Sequence, residues 1–235
     1  MHVEETINME NSNIRDNFSF IYQDHLLTPD DLEEIRNNCS CTTYRKQEVI
    51  TRQNTRTSHI AIIKSGLVKI YKEGQNKRNF IIKVGRQGEF IGLTSIYGSS
   101  EHQYSASAID TCEVCFIDIQ VFNRIVSRNR EYSHELIRLL SQDNLFILER
   151  LMGQIHKQLP GRIADVILYF SEIIYNNNVF EFPLTRRELA ELAGTTKESF
   201  IRTLAEFKHD KIINLEGSKV SINSLKIIYT LSKLG

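Results

Sequence analysis

The sequence lacks any surplus of charge of one sign. It holds 29 Lys and Arg residues against 29 Asp and Glu residues, so its formal net charge at pH 7 is zero. This balance excludes a general basic field of the kind that attracts nucleic acid without regard to sequence. Any contact with a polyanion must therefore depend on where a few charged side chains are placed.

The sequence also lacks a run of about 18 apolar residues, so no conventional membrane-spanning helix is predicted. Residues 1–18 are polar and acidic, unlike a signal peptide, and we expect them to form a flexible leader. A cytoplasmic protein is the expectation. The 235 residues, 41% of them hydrophobic, suffice for one large domain or two ordinary ones.

Catalytic residue patterns are missing as well. The chain has no paired carboxylates with a division of labour, no Ser-His-Asp arrangement and no glycine loop that matches a nucleotide fingerprint. None of its seven His residues has another His four positions away. We therefore expect neither an enzyme nor a metal site, and a small-molecule-binding or redox enzyme is the alternative from another class.

The most informative pattern that is present lies near the C-terminus. Thr185 and Glu188 have the spacing of a capping box at a helix start, and Gly194 can end that helix in a left-handed conformation. Thr195 with Glu198 repeats the capping pattern before a second helix. The apolar side of that helix comprises Phe200, Ile201, Leu204 and Phe207. Two short helices joined by a glycine turn predict a helix-turn-helix, whose second helix enters the DNA major groove.

Charged side chains crowd the first half of that second helix, at Lys197, Glu198 and Arg202. Arginine can bind guanine through two hydrogen bonds, glutamate can accept one from cytosine, and lysine can reach guanine or phosphate. The alternative is that Glu198 and Arg202 form only a surface ion pair. Small hydroxyls that suit phosphate contacts near the helix start are those of Thr195, Thr196 and Ser199.

A hairpin pattern follows the two helices. Residues 212–215 and 219–222 are strand-like and flank Glu216-Gly217-Ser218, which is typical of a tight turn. This pattern predicts the winged form of the helix-turn-helix. Ser218 and Lys219 at its tip, together with Thr185 and Arg186 at the first helix, complete the predicted DNA contacts.

The first half of the chain has a different pattern. A helix is predicted over residues 27–38, with Thr28 as its cap. From residue 39 to about 119, short β-rich runs alternate with glycine turns without intervening helices, which predicts a β-barrel or double-sheet jelly roll. We assign residues 19–130 to this domain and expect it to be the sensory half.

A long helix is predicted over residues 131–159. One seam of this helix has the 4-3-4-3-4 spacing of a coiled coil. It comprises Ile137, Ser141, Asn144, Leu148, Leu151 and Ile155. A second set is expected to face a domain core and comprises Leu136, Leu139, Leu140, Leu145 and Ile147. We interpret the helix as a homodimer interface, with burial inside one chain as the alternative. Pro160 predicts a boundary, after which residues 160–235 form the DNA-binding domain.

Taken together, these segments resemble the Crp/Fnr family of bacterial transcription regulators from about residue 26 to 222. The resemblance is carried by Ile62–Tyr71, Gly88–Gly92, Cys112–Val114, Gly161–Ala164, Leu184–Arg186, Lys197–Ser199 and Arg202. It implies an α+β fold with an N-terminal β-roll (a double-stranded β-helix), a long dimerisation helix and a C-terminal winged helix-turn-helix. It also implies a homodimer on a palindromic operator, and RNA polymerase as a further partner if the protein is an activator.

The resemblance implies an effector pocket in the β-roll as well. Its counterparts in this chain are Gly88, Glu89, Phe90, Ile91, Gly92, Tyr104 and Ser105. Members that bind cyclic nucleotides carry a Glu for the ribose and an Arg-Ser pair for the phosphate, and both are missing here. A cyclic phosphate would lose its strongest hydrogen bonds without that Arg, so we do not expect cyclic AMP to be the effector.

The four cysteines are Cys39, Cys41, Cys112 and Cys115. Two apart on a strand, the first pair should share a face, whereas the second pair, three apart, should point to opposite faces. An iron-sulfur cluster held by four ligands is therefore not expected, and core packing is the prediction. Alternatives are a metal- or thiol-based redox sensor that uses Cys112 and Cys115, and haem ligation, with His25 as a candidate ligand.

Overall fold

The computed structural model describes Ile21, residues 24–74 and residues 79–235. The predicted leader, residues 1–18, lies outside these ranges. The chain forms two compact units, one of residues up to Ile70 with Gly85–Asp143 and one of Tyr71–Val84 with Asn144–Gly235. None of the helices in the described ranges is long and apolar enough to cross a membrane.

Helix α1 (Pro29–Asn37) opens the first unit and begins with a reciprocal capping box. Thr28 Oγ1 accepts a hydrogen bond from the Asp31 amide, and the Asp31 carboxylate accepts one from the Thr28 amide. Burial alone would raise the pKa of Asp31, but hydrogen bonds from Thr28, Arg128 and Asn129 outweigh it and lower that pKa. The predicted cap at Thr28 is confirmed.

Two sheets of four described strands each follow α1. Their orders are β1-β8-β3-β6 and β2-β7-β4-β5. The strands are β1 (Cys39–Tyr44), β2 (Val49–Thr51), β3 (His59–Ser65), β4 (Val68–Glu73), β5 (Asn79–Gly85), β6 (Phe90–Ile91), β7 (Ser105–Ala108) and β8 (Cys112–Asp118). This arrangement confirms the predicted double-sheet roll. The expectation of no intervening helix was wrong, because a short helix, α2 (Leu93–Gly98), interrupts the strands after Gly92.

One face of the first sheet packs against helices. Ile60 and Ile62 of β3 lie on this face because alternate residues of a strand point the same way. They pack with α1, with α3 (Ile119–Arg128) and with the start of α4 (Arg130–His156), where Tyr132 and Leu136 are buried. This apolar core fixes the beginning of the long helix on the roll.

Helix α4 is continuous over 27 residues. The chain leaves it at Lys157 and Gln158, and Pro160 lies in the first turn of α5 (Leu159–Leu168). Proline is tolerated there because the first turn of a helix needs no amide donor. The predicted helix break is therefore present but falls before Pro160 rather than at it. A π-helical turn, Tyr169–Ile174, extends α5.

The C-terminal part of the second unit is a winged helix-turn-helix. It contains β9 (Val179–Glu181), α6 (Arg186–Ala193), α7 (Lys197–His209), β10 (Ile213–Glu216), β11 (Lys219–Ile222) and α8 (Leu225–Leu234), and its sheet order is β10-β11-β9. The predicted helices and wing are confirmed. Helix α8, which packs on α5 so closely that Gly161 and Gly235 are in backbone contact, was not predicted.

Candidate functional site

The turn between α6 and α7 depends on a glycine. Gly194 ends α6 with φ of 63°, in the left-handed region that favours glycine. A Cβ at this position would meet the amide group of Gln154. At the other end of α6, Thr185 and Glu188 form the predicted capping box. The first helix of the pair is therefore set by local sequence at both ends.

The N-cap of helix α7 lies one residue later than predicted. Thr196, not Thr195, is the N-cap, and its Oγ1 accepts a hydrogen bond from the Ser199 amide at 3.2 Å. The Thr195 amide donates to the Ala190 carbonyl at 2.9 Å, so Thr195 still belongs to the end of α6. The predicted capping pair of Thr195 with Glu198 is therefore not formed, and Glu198 remains available.

The buried face of α7 differs from the predicted one at a single residue. It comprises Phe200, Thr203, Leu204 and Phe207. Ile201, which was assigned to the apolar side, is 42% exposed. A helix turns by about 100° per residue, so residue 201 lies on the same side as residues 197, 198 and 202. Thr203 takes the core position instead.

The outer face of α7 presents Lys197, Glu198 and Arg202 to solvent. Within the described residues, none of the three forms an ion pair or a side-chain hydrogen bond, and the alternative of a Glu198–Arg202 surface pair is not formed. Base-edge recognition requires donors and acceptors of this kind that are free of other partners. The outer face therefore has the chemistry to contact base edges.

Arg186 makes a structural contact with the wing. Its guanidinium donates a hydrogen bond to the Gly217 carbonyl at the wing turn and lies over the Phe182 ring, 5.6 Å from its centroid. Burial lowers the pKa of Arg186. Ser218 and Lys219 at the tip are exposed. The structure thus gives Arg186 a role in holding the wing against α6, and leaves the tip free for contact.

Two arginines that were not among the predicted site residues bind the C-terminal end of α6. Arg162 in α5 donates to the Gly194 carbonyl at 2.8 Å and to the Ala193 carbonyl at 3.3 Å. Arg150 in α4 donates to the Leu192 carbonyl and, from its other terminal nitrogen, to the Ile81 carbonyl at 3.0 Å. Burial lowers the pKa of Arg150 to about 10.

These hydrogen bonds satisfy carbonyl groups that a helix end leaves unpaired. They connect α4 and α5 to the turn that precedes α7, and Arg150 also binds the backbone of strand β5. Of the two, only Arg162 lies in a segment that carries the family resemblance, Gly161–Ala164. No local pattern marks Arg150, because its partners lie 42 and 69 positions away along the chain.

An apolar stripe on α4 is open to solvent. All six predicted interface residues are exposed, with Ile137 61%, Leu148 47%, Leu151 51% and Ile155 64% accessible. The prediction that Leu145 and Ile147 face a domain core was wrong, because they are 60% and 44% exposed. Leu136 is buried, and Leu139 and Leu140 pack at the edge of the roll's core, as predicted. An exposed apolar stripe of this kind is typical of a protein–protein interface.

Several residues of the predicted effector pocket are buried or hydrogen-bonded within the roll. The Gly92 amide donates a hydrogen bond to the Tyr104 hydroxyl at 3.2 Å, and the Thr94 hydroxyl lies 3.4 Å from the same oxygen. Phe90 and Ile91 are buried in the core, and Ser105 is fully buried and accepts a hydrogen bond from the Gln53 amide. The Gly92 amide hydrogen is thus already bound by the Tyr104 hydroxyl.

A separate cavity of about 680 Å³ opens on the roll. None of the seven predicted pocket residues lines it. Its walls include Tyr44, Thr51, Arg52, Arg56, Ala61, His102 and Phe116. Two buried atoms in this wall, Thr51 Oγ1 and His102 Nδ1, have no hydrogen-bond partner among the residues that the structure describes. Burial lowers the pKa of His102, which favours the neutral imidazole.

The cysteines are arranged differently from the prediction. Cys41 and Cys115, which face each other across β1 and β8, form a disulfide. The Cys112–Cys115 pair of the thiol-sensor alternative is therefore not the pair that the fold brings together, because these residues point to opposite faces of β8. Cys39 is a free thiol beside the disulfide, and Cys112 is buried elsewhere. A pairing across strands cannot be recognised from spacing along one strand.

Comparisons with known proteins agree with this geometry. Residues 41–129 match the model of the cyclic nucleotide-binding domain, and residues 161–227 match that of the Crp-like helix-turn-helix domain. The chain is 22% identical over 194 residues to the anaerobic regulatory protein of Haemophilus influenzae, covering 80% of this chain and 74% of that protein.

A second relative is the CRP-like cAMP-activated global transcriptional regulator of Mycobacterium tuberculosis, 26% identical over 166 residues, which cover 69% of this chain and 74% of that protein. Among solved structures, FixK2 from Bradyrhizobium japonicum superposes with a TM-score of 0.76 at 18% identity, over 82% of this chain and 96% of that one. At such identity the superposition shows a shared fold.

Proposed function

This chain belongs to the Crp/Fnr family of transcription regulators, and on that premise we propose that it is a homodimer that binds a palindromic operator under the control of an effector at the β-roll. The observation that carries the proposal is the outer face of α7, where Lys197, Glu198 and Arg202 are exposed and have no side-chain partner in the described part of the chain. The relatives are regulatory proteins, so a catalytic role is not proposed.

The three side chains have distinct roles in this proposal. Arg202 donates two hydrogen bonds to one guanine, and Glu198 accepts one from a cytosine amino group. Lys197 adds a charge near the start of the helix but lacks the planar fork of arginine, so it contributes less base discrimination. The hydroxyls of Thr195, Thr196 and Ser199 and the wing tip contact phosphates, which position the helix in the groove.

The dimer in this proposal forms along α4. The exposed stripe from Ile137 to Ile155 needs an apolar partner, and a second copy of the same helix supplies one by symmetry. Ser141 and Asn144 lie within the stripe, and a polar residue in a coiled-coil seam sets register at some cost in stability. Pairing would place two α7 helices in successive major grooves, about one helical turn apart.

The effector would act on the presentation of α7. Arg150 and Arg162 donate hydrogen bonds to carbonyl groups at the end of α6, just before the turn that leads into α7. A shift in α4 or α5 would therefore change the position of α7. A ligand changes this equilibrium only if it binds the two states with different affinity. RNA polymerase would be a further partner if the protein activates transcription.

The effector itself is proposed not to be cyclic AMP. No arginine occupies the position next to Ser105, and the Tyr104 hydroxyl already accepts the Gly92 amide hydrogen. The cavity lined by Arg52, Arg56 and His102, with Glu48 also in its wall, offers another site within the roll, where two buried polar atoms lack a hydrogen-bond partner among the described residues. These features suit a small polar or anionic ligand.

Selection of bound DNA from a random pool tests the proposed function directly. The enriched sequences should form an inverted repeat whose half-site centres lie about one helical turn, roughly 10 base pairs, apart. Recovery of a lone half-site would contradict the dimer. Recovery of no shared sequence, at a salt concentration where nonspecific binding is weak, would contradict sequence-specific binding by α7.

A further inference from the structure

Cys39, Cys41 and Cys115 form a cluster, here named the three-cysteine cluster, in the first sheet of the roll. Their sulfur atoms all lie within 4.8 Å of one another. Cys41 and Cys115 are joined as a disulfide between neighbouring strands, and Cys39 is a free thiol two residues earlier on the same face of β1. The proposed mechanism of DNA recognition uses none of these sulfur atoms.

We propose that the three-cysteine cluster, once its disulfide is reduced, binds one soft metal ion of the copper(I) type through three thiolates. Thiolate ligands select soft ions over Mg²⁺, Ca²⁺ or Mn²⁺, which prefer oxygen. Within the described residues, the cluster contains sulfur as its sole ligand type and offers three ligands rather than four. Three-coordinate sulfur sites suit a monovalent d¹⁰ ion better than zinc, which prefers four ligands.

The disulfide is the state that excludes the ion, because two of the three ligand atoms are bonded to each other. A dithiol reductant supplies two electrons and two protons, breaks the Cys41–Cys115 bond and leaves as its own disulfide. The two cysteines become thiols. Binding of the ion then displaces a proton from each ligand thiol, so no other reactant is needed.

The cluster is open to solvent on one side and lies against buried apolar residues on the other. Cys115 is fully buried, Cys39 is half-buried and Cys41 is exposed, so an ion can enter from the solvent side of β1. Burial raises the pKa of Cys39, and the positive charge of Lys64 partly offsets this effect.

The cluster also adjoins the core that holds the start of α4. Cys115 packs in the same apolar core as Phe122 of α3 and as Tyr132 and Leu136 of α4, and Cys39 packs at its edge. A change from disulfide to bound ion would therefore alter packing beneath the proposed dimer helix. This regulatory consequence rests on the proposed function, whereas the metal site does not.

Competition for copper(I) against a chromophoric copper(I) chelator tests the site. The full-length protein is reduced with a phosphine and titrated without oxygen, and one ion per chain is expected. Loss of an outer-shell partner alone weakens metal affinity about 10- to 100-fold, so Cys39→Ser and Cys41→Ser should each weaken it by about 100-fold or more. The oxidised protein should bind no ion at this site.

Cys112→Ser is the matched control, because Cys112 is a buried free cysteine of the same roll outside the cluster. It should bind copper(I) like the wild type. Equal binding by wild type, Cys39→Ser and Cys41→Ser, or by oxidised and reduced protein, would overturn the proposal. Because β1 is an exposed edge strand, the Cys39→Ser and Cys41→Ser substitutions should leave folding intact, which circular dichroism can verify before titration.

A second measurement separates the site from the proposed function. Operator affinity is compared for the oxidised, the reduced and the copper-loaded protein. An ion that binds with unchanged operator affinity would overturn the regulatory consequence but retain the metal site. Failure to bind any DNA in all three states would count against the proposed function alone.

Discussion

Helix α7 and the β-roll present their candidate functional groups in opposite ways. Lys197, Glu198 and Arg202 lie within six positions of one helix, are exposed and have no side-chain partner over residues 24–74 and 79–235. In the roll, the Gly92 amide is already hydrogen-bonded to Tyr104, and the three-cysteine cluster joins strands 74 positions apart. The side chains proposed to contact DNA are thus accessible as they stand, whereas the candidate groups in the roll already have partners that a ligand or metal ion would have to displace.

The largest expected effect comes from disrupting the proposed dimer, which supplies a second copy of α7, rather than from changing the side chains of α7. The double substitution Leu148→Asp with Leu151→Asp places two charges in the apolar stripe and should give monomers. Loss of the second module should weaken operator binding by about 10²- to 10⁴-fold. Light scattering and mobility-shift titration measure the two outcomes.

Gln142→Asp is the matched control for that substitution. It adds a charge to an exposed position of the same helix that lies away from the stripe, so both dimer mass and operator affinity should stay unchanged. A double variant that remains dimeric would show that the α4 stripe is not the interface. The proposal that α7 acts as one of a pair through α4 would then be wrong.

Arg202→Ala tests whether the exposed side chains of α7 select bases. It should cost about 1 to 3 kcal/mol of binding free energy and relax base choice at one position of each half-site. Titration against operators that vary at each position measures both effects. Lys226→Ala, which removes an exposed positive charge from α8, should leave base choice unchanged.

An Arg202→Ala protein that discriminates bases like the wild type would contradict the assignment. Arg202→Lys sharpens the test further, because it keeps the charge and loses the planar fork. It should retain affinity for nonspecific DNA while losing part of the base discrimination.

Tyr104→Phe is the corresponding test in the roll. It removes the hydroxyl that accepts the Gly92 amide hydrogen and should lower the free energy of unfolding by about 0.5 to 1.5 kcal/mol. Urea denaturation measures the change. Base choice on DNA should not change, since Tyr104 lies in the first unit, and an altered half-site preference would show that the two regions are less independent than proposed.

The smallest expected effect is a pH dependence from His102. Burial lowers its pKa from the ordinary value of 6.5, so as pH falls below that value the unfolded chain takes up the proton first. The free energy of unfolding should therefore decrease as pH falls from 6.5 through the folded-state pKa. His102→Gln should lose this part of the slope, whereas His156→Gln, at an exposed position of α4, should retain it.

An unchanged pH profile in His102→Gln, measured by denaturation at several pH values, would show that the buried imidazole does not contribute. In that case the burial of His102 in the cavity wall would have no measurable effect on the free energy of unfolding.

Local patterns predicted the C-terminal half of the fold well. The capping box at Thr185, the glycine turn at Gly194 and the wing turn at Gly217 depend on residues within about four positions of each other, so their geometry can be inferred from the chain alone. The errors in helix α7 were small, each affecting one position in the chain. The cap of α7 lies at Thr196 rather than Thr195, and Ile201 is exposed because one position along a helix rotates a side chain by about 100°.

The roll was less predictable because its chemistry depends on register between strands. Its double-sheet class followed from short β-rich runs with glycine turns, but the partners of Cys41 and of Gly92 are set by which strands become neighbours. Helix α8 was also missed; it packs on α5, and the backbones of Gly161 and Gly235 come into contact.

By itself, the sequence determined the winged helix-turn-helix, the apolar stripe of α4 and the three side chains proposed to contact bases, because each depends on residue spacing along a single helix or turn. The tertiary structure alone decided that Arg150 binds the end of α6, that the Tyr104 hydroxyl accepts a hydrogen bond from the Gly92 amide, and that Cys115 forms a disulfide with Cys41 rather than with Cys112. These contacts join residues far apart in the chain, and their distances exist only after the strands and helices have packed.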